Sequence, residues 1–401
     1  MNSVESHPID KISVYICAGL VSGAGALLLN VLPLLFGAFS ESFGLSEIQL
    51  GNLALSMNLG FGLLGLASLL WVHRISWRVI ASLSSLLVIA MILLMLGQPT
   101  YEKLLIVMAA AGAGTGALYA LAMTIFGDSA QPEKAFGFKL GLESVPGALL
   151  LVLLPVAVVP LWGVDGMLLT IAVTMVVIGI LPLPWVPKNS VRGAVPLAVS
   201  ISSAGAHRSI VWLSLLASLI FLTGVMSVWA FLELIGKKTG LSSDTIGTVL
   251  AIGFLINAVG GFIASALGLK AGRFYPMAVI IIVEVVGLLV LSHFDSLTTY
   301  VVGVFCFLIS ISFVLAYTFG IMAEFDQSGK IVALGALCLS IGAAFGPAIG
   351  GQLIENYGYL STLLFSGGCS IAALGVYGVA VFRSRQVSRK MKDASTIASV
   401  I

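Results

Sequence analysis

Charge is what this sequence has least of. Only 9% of its 401 residues are Asp, Glu, Lys or Arg, against 59% hydrophobic. A water-soluble domain carries roughly a quarter charged residues, so a soluble globule is excluded. Cysteine is scarce as well. Cys17, Cys306, Cys338 and Cys369 all lie in apolar stretches and form no Cys-x-x-Cys pair, which argues against a disulfide framework and against a metal site. His7, His73, His207 and His293 are scattered at segment ends. No Walker loop, dinucleotide fingerprint or nucleophile–base pair is evident. The chain is therefore expected to be no enzyme, with no catalytic residues, no cofactor and no nucleic-acid partner.

What the sequence has instead is long hydrophobic runs. Mean hydropathy is +1.13, and the spacing of polar breaks predicts twelve spans. They cover 12–38, 48–72, 79–97, 104–126, 137–159 and 167–186, then 209–235, 245–267, 275–292, 299–322, 332–354 and 360–382. In lipid each backbone polar group needs an internal partner, so only helices or a closed barrel can cross. These runs are too long and continuous for the alternating strands of a barrel. The first run, from Ile12 to about Ala38, is also longer than a signal-peptide core and reads as a retained span.

Lys and Arg are distributed asymmetrically. With the N-terminus inside, 15 fall on the inner side and 3 (Lys103, Lys237 and Lys238) on the outer side, leaving Lys139 within a span. The positive-inside rule then predicts a multi-pass protein of the cytoplasmic (inner) membrane with both termini cytoplasmic. The longest polar interruption, residues 187–208, sits near the midpoint and reads as a cytoplasmic linker. It divides an N-terminal unit (1–186) from a C-terminal unit (209–382), and residues 383–401 form a basic tail suited to anionic lipid head groups.

The two units repeat. Gly44-Leu45-Ser46 recurs as Gly240-Leu241-Ser242 at a shift of 196, and Gly51 and Gly65 pair with Gly247 and Gly261 at the same shift. Tyr119, Asp128, Ala135 and Gly137 pair with Tyr317, Asp326, Ala333 and Gly335 at a shift of 198. Each unit is thus a six-helix bundle, and the two copies share one orientation.

Twelve helices in two homologous six-helix bundles, joined by a cytoplasmic linker, resemble the major facilitator superfamily over nearly the whole chain. The family's loop signature, Gly-x-x-x-Asp-(Arg/Lys)-x-Gly-(Arg/Lys)-(Arg/Lys), is echoed by Lys270-Ala271-Gly272-Arg273 and more weakly by Arg74-Ile75-Ser76-Trp77-Arg78. Both copies lack the acid, with His73 and Leu269 in its place. The eleventh span carries Gly342-x-x-x-Gly346-Pro347-x-x-Gly350-Gly351, similar to a motif that family antiporters carry on the fifth span. Here it is read first as close helix packing.

The resemblance implies an all-α secondary transporter that works by alternating access, with spans one, four, seven and ten lining a cavity. Substrate-cavity candidates are Ser22 and Asn30, Thr115, Tyr119 and Met123, Met226 and Trp229, and Phe313 and Tyr317. Ordinary packing explains any single one of these equally well. Tyr119 and Tyr317 hold matching places and are expected to face each other across the cavity. Gate candidates are Arg74, Arg78, Asp128, Lys270, Arg273 and Asp326, with Lys134 and Lys330 following the two aspartates and Glu324 ending the polar face of span ten.

Acids at membrane depth are the sharpest signal, since inserting one costs about 2.5–3.5 kcal/mol. Glu233 is the first proton-coupling candidate, because helical spacing puts it on a face with Met226 and Trp229. Glu143 has Lys139 one turn before it, which makes an ion pair the simpler reading. Glu284, the third proton-coupling candidate after Glu233 and Glu143, lies mid-span among Ile281, Ile282, Val283, Val285 and Val286, where bonding to a neighbouring helix is the alternative reading. The expected partners are a small-molecule substrate, protons or another ion, and membrane lipid, with the protein a monomer. Export of an amphipathic compound leads. Uptake of a metabolite by proton symport and a non-transporting membrane sensor stand as alternatives.

Overall fold

The computed structural model describes residues 9, 11–72, 74–97, 99–129, 132–189, 205–325 and 330–398, and among them every regular element is a helix. The α-helices are α1 (Ile12–Asn30), α2 (Leu32–Phe43), α3 (Glu47–Trp71), α4 (Trp77–Leu94), α5 (Tyr101–Gly127), α6 (Pro132–Leu153), α7 (Val159–Met175), α8 (Gly205–Trp229), α9 (Leu232–Lys238), α10 (Ser243–Leu267), α11 (Phe274–Leu291), α12 (Leu297–Phe325), α13 (Lys330–Tyr357) and α14 (Tyr359–Ala398). Most of the linker, residues 190–204, lies outside the described residues.

Ten stretches are long and apolar enough to cross a membrane, and one of them, Gly141–Trp185, is twice the needed length. It reverses at Gly163, whose backbone (φ 60, ψ −155) is open to glycine and strained for other residues. Before the turn the chain runs parallel to α1, with Leu142 against Gly19 and Pro146 against Gly23. After it the direction inverts, with Gly179 near Ala24 and the Pro182 carbonyl accepting from Cys17 Sγ at 3.0 Å. This turn makes two crossings of one stretch, and α13 completes the twelve. Outward-facing Leu63, Leu83, Ile106 and Phe262 are 64–73% exposed, an apolar belt suited to lipid.

Two predicted spans are broken. The first divides at Val31 (φ −98, ψ 6) and the seventh at Phe231 (φ −106, ψ 7). Pro33 explains the first break. It has no N–H for the Leu29 carbonyl four residues back, and its ring crowds that carbonyl. The second break has nearly the same geometry 200 positions later, where Glu233 stands in the place that Pro33 holds in the first bundle. α14 also continues past the predicted end at 382.

The repeated residues have structural duties. Gly44 (φ 63) and Gly240 (φ 78) take the left-handed conformation after α2 and α9. Ser46 and Gln49 then form a capping box that starts α3. Gly51 and Gly247 lie where the bundles meet. A β-carbon at Gly51 would collide with the Pro347 carbonyl of α13, and one at Gly247 with the Leu151 carbonyl of α6 and the ring of Pro155. Gly65 faces Gly116 on α5, and Gly261 faces Ser312 on α12.

The bundles touch closely at the end where α2, α9 and α13 finish and α3 and α10 begin. Phe36 packs on Phe231 with ring centroids 5.3 Å apart. Ile48 N donates to a Glu355 carboxylate oxygen at 3.0 Å, and the Tyr359 hydroxyl lies 3.0 Å from Glu47 Oε1. On α13, Gly342, Gly346 and Gly350 lie against Leu222, Thr223 and Ser227 of α8. The glycine–proline motif is thus a seam between helices.

Candidate functional site

Two charge clusters sit within this frame. The first is built on α6, where Lys139 and Glu143 are one turn apart and share a face. Gly19 and Gly23 let α1 approach α6 closely, and that approach brings Ser22 Oγ to 2.6 Å from Glu143 Oε2. The same oxygen takes Lys139 Nζ at 2.5 Å. Lys139 also lies over the Tyr119 ring, 4.2 Å from its centroid, a cation–π contact strengthened by exclusion of water. Tyr119 in turn packs on Phe61 of α3, centroids 5.6 Å apart.

Lys139 is 1% exposed and Glu143 13%. A buried ammonium persists only with partners around it, and this one has a carboxylate and an aromatic face. Glu143 keeps an opening that Lys139 lacks. Chemically, one carboxylate oxygen is shared by an ammonium and a hydroxyl, and any incoming proton or cationic group competes with Lys139 for it.

The second cluster lies at the closed end. Lys237 of α9 sits between two acids, 2.9 Å from Glu233 Oε1 and 2.7 Å from Glu41 Oε1 at the end of α2. Ser243 of α10 donates to Glu233 Oε1 at 3.3 Å. Glu233 is 3% exposed, and its Oε2 has no hydrogen-bond partner. The expected face with Met226 and Trp229 does not exist as an uninterrupted helical stripe, because α8 ends at Trp229 and α9 starts at Leu232. Glu233 is also not an isolated carboxylate, since Lys237 one turn on pairs with it.

Glu284 is wholly buried and accepts from Ser370 of α14 at 2.7 Å, leaving its Oε2 without a partner. Tyr119 and Tyr317 do not behave as a matched pair. Tyr119 engages Lys139, whereas the Tyr317 hydroxyl donates to the Gly268 carbonyl at 2.8 Å and its ring stacks on Phe313 at 5.0 Å. Each serves its own bundle. Thr115 is buried and returns its hydroxyl to the Gly112 carbonyl at 2.9 Å. Asn30 packs against Gly147, Met226 packs against Gly346, and Met123 is half-buried. Trp229 Nε1 donates to the Leu29 carbonyl at 3.1 Å.

Of the gate candidates, Arg74 and Lys270 are exposed, Arg273 is half-buried and Asp128 is buried. Arg78 donates from Nε to the Val186 carbonyl at 2.7 Å and from a terminal nitrogen to the Pro184 carbonyl at 2.8 Å, tying down the end of the sixth crossing. Asp326 lies outside the described residues, as do the side chains of Lys134, Glu324 and Lys330.

Sequence reasoning missed Glu41, which fell just beyond the predicted end of the first span. Lys237 was counted only as a loop charge, although its spacing of four from Glu233 is visible. Ser370 gave no signal, since its pairing with Glu284 joins distant segments.

Twelve membrane-crossing helices arranged as two repeated six-helix bundles, in contact at one end, define an integral multi-pass membrane protein of the transporter type. The family model described as Major Facilitator Superfamily matches residues 14–325 and, in a second match, 215–398. The chain belongs to the major facilitator superfamily. No curated protein matches it significantly in sequence. Among solved structures it is similar to the nucleoside transporter NupG, at 11% identity and TM-score 0.69, covering 92% of this chain and 98% of that one. It is also similar to a bacterial homologue of the human lysosomal transporter Spinster, in an inward-facing and unoccupied conformation. That match has 14% identity and TM-score 0.65, covering 97% of this chain and 98% of that one. At such identities the likeness establishes the fold.

Proposed function

We propose that this chain is a proton-coupled secondary transporter that moves a small amphipathic organic solute out of the cell. The units 1–186 and 209–382 rock about a central site, with both termini in the cytoplasm of the inner membrane and the protein acting as a monomer. Family membership supports transport of a small solute. The close bundle contacts at the Phe36–Phe231 end support a state shut on one side, one of the two that alternating access requires.

The observation that carries proton coupling is Glu143 Oε2. It is shared by Lys139 and Ser22 on a helix packed against α1. A proton that neutralises Glu143 releases Lys139, and Lys139 returning to Glu143 expels the proton. The site thereby exists in two charge arrangements, which the solute and the rocking motion can bias. Met123 on α5 and Met226 on α8 supply adaptable apolar surface for the solute. In this reading Glu233 is a second coupling candidate, and its pairing with Lys237 and Glu41 ties its charge to closure of that end.

The test is solute-induced proton movement in proteoliposomes, screened with a mixed library of amphipathic compounds. Proton movement upon addition of a compound, lost in Glu143→Gln, supports the reading. Compound movement with no proton movement in the unaltered protein contradicts it.

A further inference from the structure

Polar bonds between the bundles fasten the shut end on two flanks. On one flank, Ile48 N is among the first amides of α3, which no helical carbonyl can satisfy. It donates to a Glu355 carboxylate oxygen of α13 at 3.0 Å, and beside it the Tyr359 hydroxyl lies 3.0 Å from Glu47 Oε1. The Ser46 hydroxyl and the Ile48 amide hold the Glu355 carboxyl below its usual range. On the other flank, Lys237 of α9 reaches Glu41 of α2 at 2.7 Å. The second bond of Lys237, to Glu233 at 2.9 Å, lies within its own bundle. Glu41 and Glu355 are exposed, whereas Glu47 is half-buried and Glu233 is buried. The titratable groups facing the two exposed acids are Lys237 and Glu233 from α9, Glu47 from α3 and Tyr359 from α14.

Each exposed acid has its partner in the other bundle, and so only while this end is shut. A helix N-terminus and an ammonium both favour the charged carboxylate. When the bundles part, Glu355 and Glu41 return to water and take up protons more readily. The shut state therefore holds fewer protons at these two acids than the open state, and falling pH favours opening. Their contribution to closure is complete above the ordinary Glu range and is lost as pH falls through it. We propose that Glu41 and Glu355 form a proton-released latch: acid on the side that this end faces unfastens the bundles and shifts the protein toward the state open to that side. The uncharged contacts of the seam, Phe36 on Phe231 and Gly51 on Pro347, are indifferent to pH. The latch rests on the rocking of two bundles but not on Glu143. It sets which side is open, whereas Glu143 carries the proton.

The experiment measures the distance across this end by double electron–electron resonance on the full chain in lipid nanodiscs, with the native cysteines replaced by serine. Nitroxide labels go on Glu102→Cys and Thr298→Cys. These positions are exposed, are the second residues of α5 and α12, and match at the repeat shift of 196. Spectra are compared at about pH 7.5 and about pH 4, just below the ordinary Glu value of about 4.3. The ratio of long to short distances should rise roughly two- to fourfold at the lower pH. Each exposed contact contributes about two- to fivefold to closure, so Glu41→Gln combined with Glu355→Gln should raise the ratio by about fourfold or more at pH 7.5. The same double variant should lose more than half of the pH response, and Glu143→Gln should keep it. Both latch acids are exposed, so these variants should fold. Two distances whose ratio ignores pH, or a pH response unchanged in the double variant, overturns the latch alone. A single distance under every condition overturns it together with the rocking of the bundles.

Discussion

Trp229 donates its indole Nε1 to the Leu29 carbonyl at 3.1 Å, across the boundary between the two bundles. Leu29 is the residue four before Pro33, so its carbonyl loses the usual donor four residues on; a backbone N–H at the end of α1 reaches it, and the indole adds a second donor. A defect in one bundle is met by a side chain of the other. Trp229→Phe should therefore cost about 0.5–1.5 kcal/mol by removing this second bond to the carbonyl. Pro33→Ala restores a local N–H, and in that background Trp229→Phe should cost clearly less. A double-mutant cycle on thermal midpoints in detergent measures this coupling. Additive effects would show that the indole bond does not answer the proline.

The Lys139–Glu143 pair makes a second prediction. Lys139 is 1% exposed, and removing one partner of a buried pair costs about 3–5 kcal/mol. Lys139→Met alone should lower the yield of folded protein and its thermal midpoint sharply. Lys139→Met combined with Glu143→Leu should recover more than half of the loss. The comparison is read by size-exclusion profile and thermal unfolding of the single and double variants.

The α13 seam can be tested against a glycine that touches nothing. A β-carbon at Gly346 would sit 2.6 Å from the Thr223 carbonyl, whereas one at Gly375 on α14 meets nothing within 4 Å. Gly346→Val should destabilise by about 1–3 kcal/mol through overpacking. Gly375→Val should change the thermal midpoint little.

Glu284 is expected to be structural. Its carboxyl accepts from Ser370 between α11 and α14. Glu284→Gln keeps that acceptor and should leave transport intact. Glu284→Ala strands the Ser370 hydroxyl, opens a cavity and should destabilise by about 2–4 kcal/mol. Loss of transport in a stable Glu284→Gln variant would instead assign this acid to coupling.

Much of the fold was legible in the sequence because lipid forces it. Unbroken apolar runs must be helices, and residues such as Gly44 and Gly240 repeat because both bundles need the same left-handed turn. The break at Phe231 was less legible. No proline marks it, and only its correspondence to Val31 reveals it. Within the candidate site, the Lys139–Glu143 pair could be read from spacing alone. The Lys237–Glu233 pair shows the same spacing, but the Ser22–Glu143 and Glu41–Lys237 contacts could not be read, because they join segments more than 100 residues apart and depend on how the helices meet. Repeat symmetry also misled at Tyr119 and Tyr317. Equivalent backbone positions do not oblige side chains to take the same partners when Lys139 is present in one bundle only.

The most direct test of proton coupling compares two modes of transport in Glu143→Gln proteoliposomes. One is accumulation of solute driven by a proton gradient, and the other is exchange of labelled for unlabelled solute without a gradient. The account predicts that gradient-driven accumulation is lost while exchange persists, since the solute still rocks the bundles but no proton moves with it. Gradient-driven accumulation at the unaltered level would contradict the account and move the proton away from Glu143.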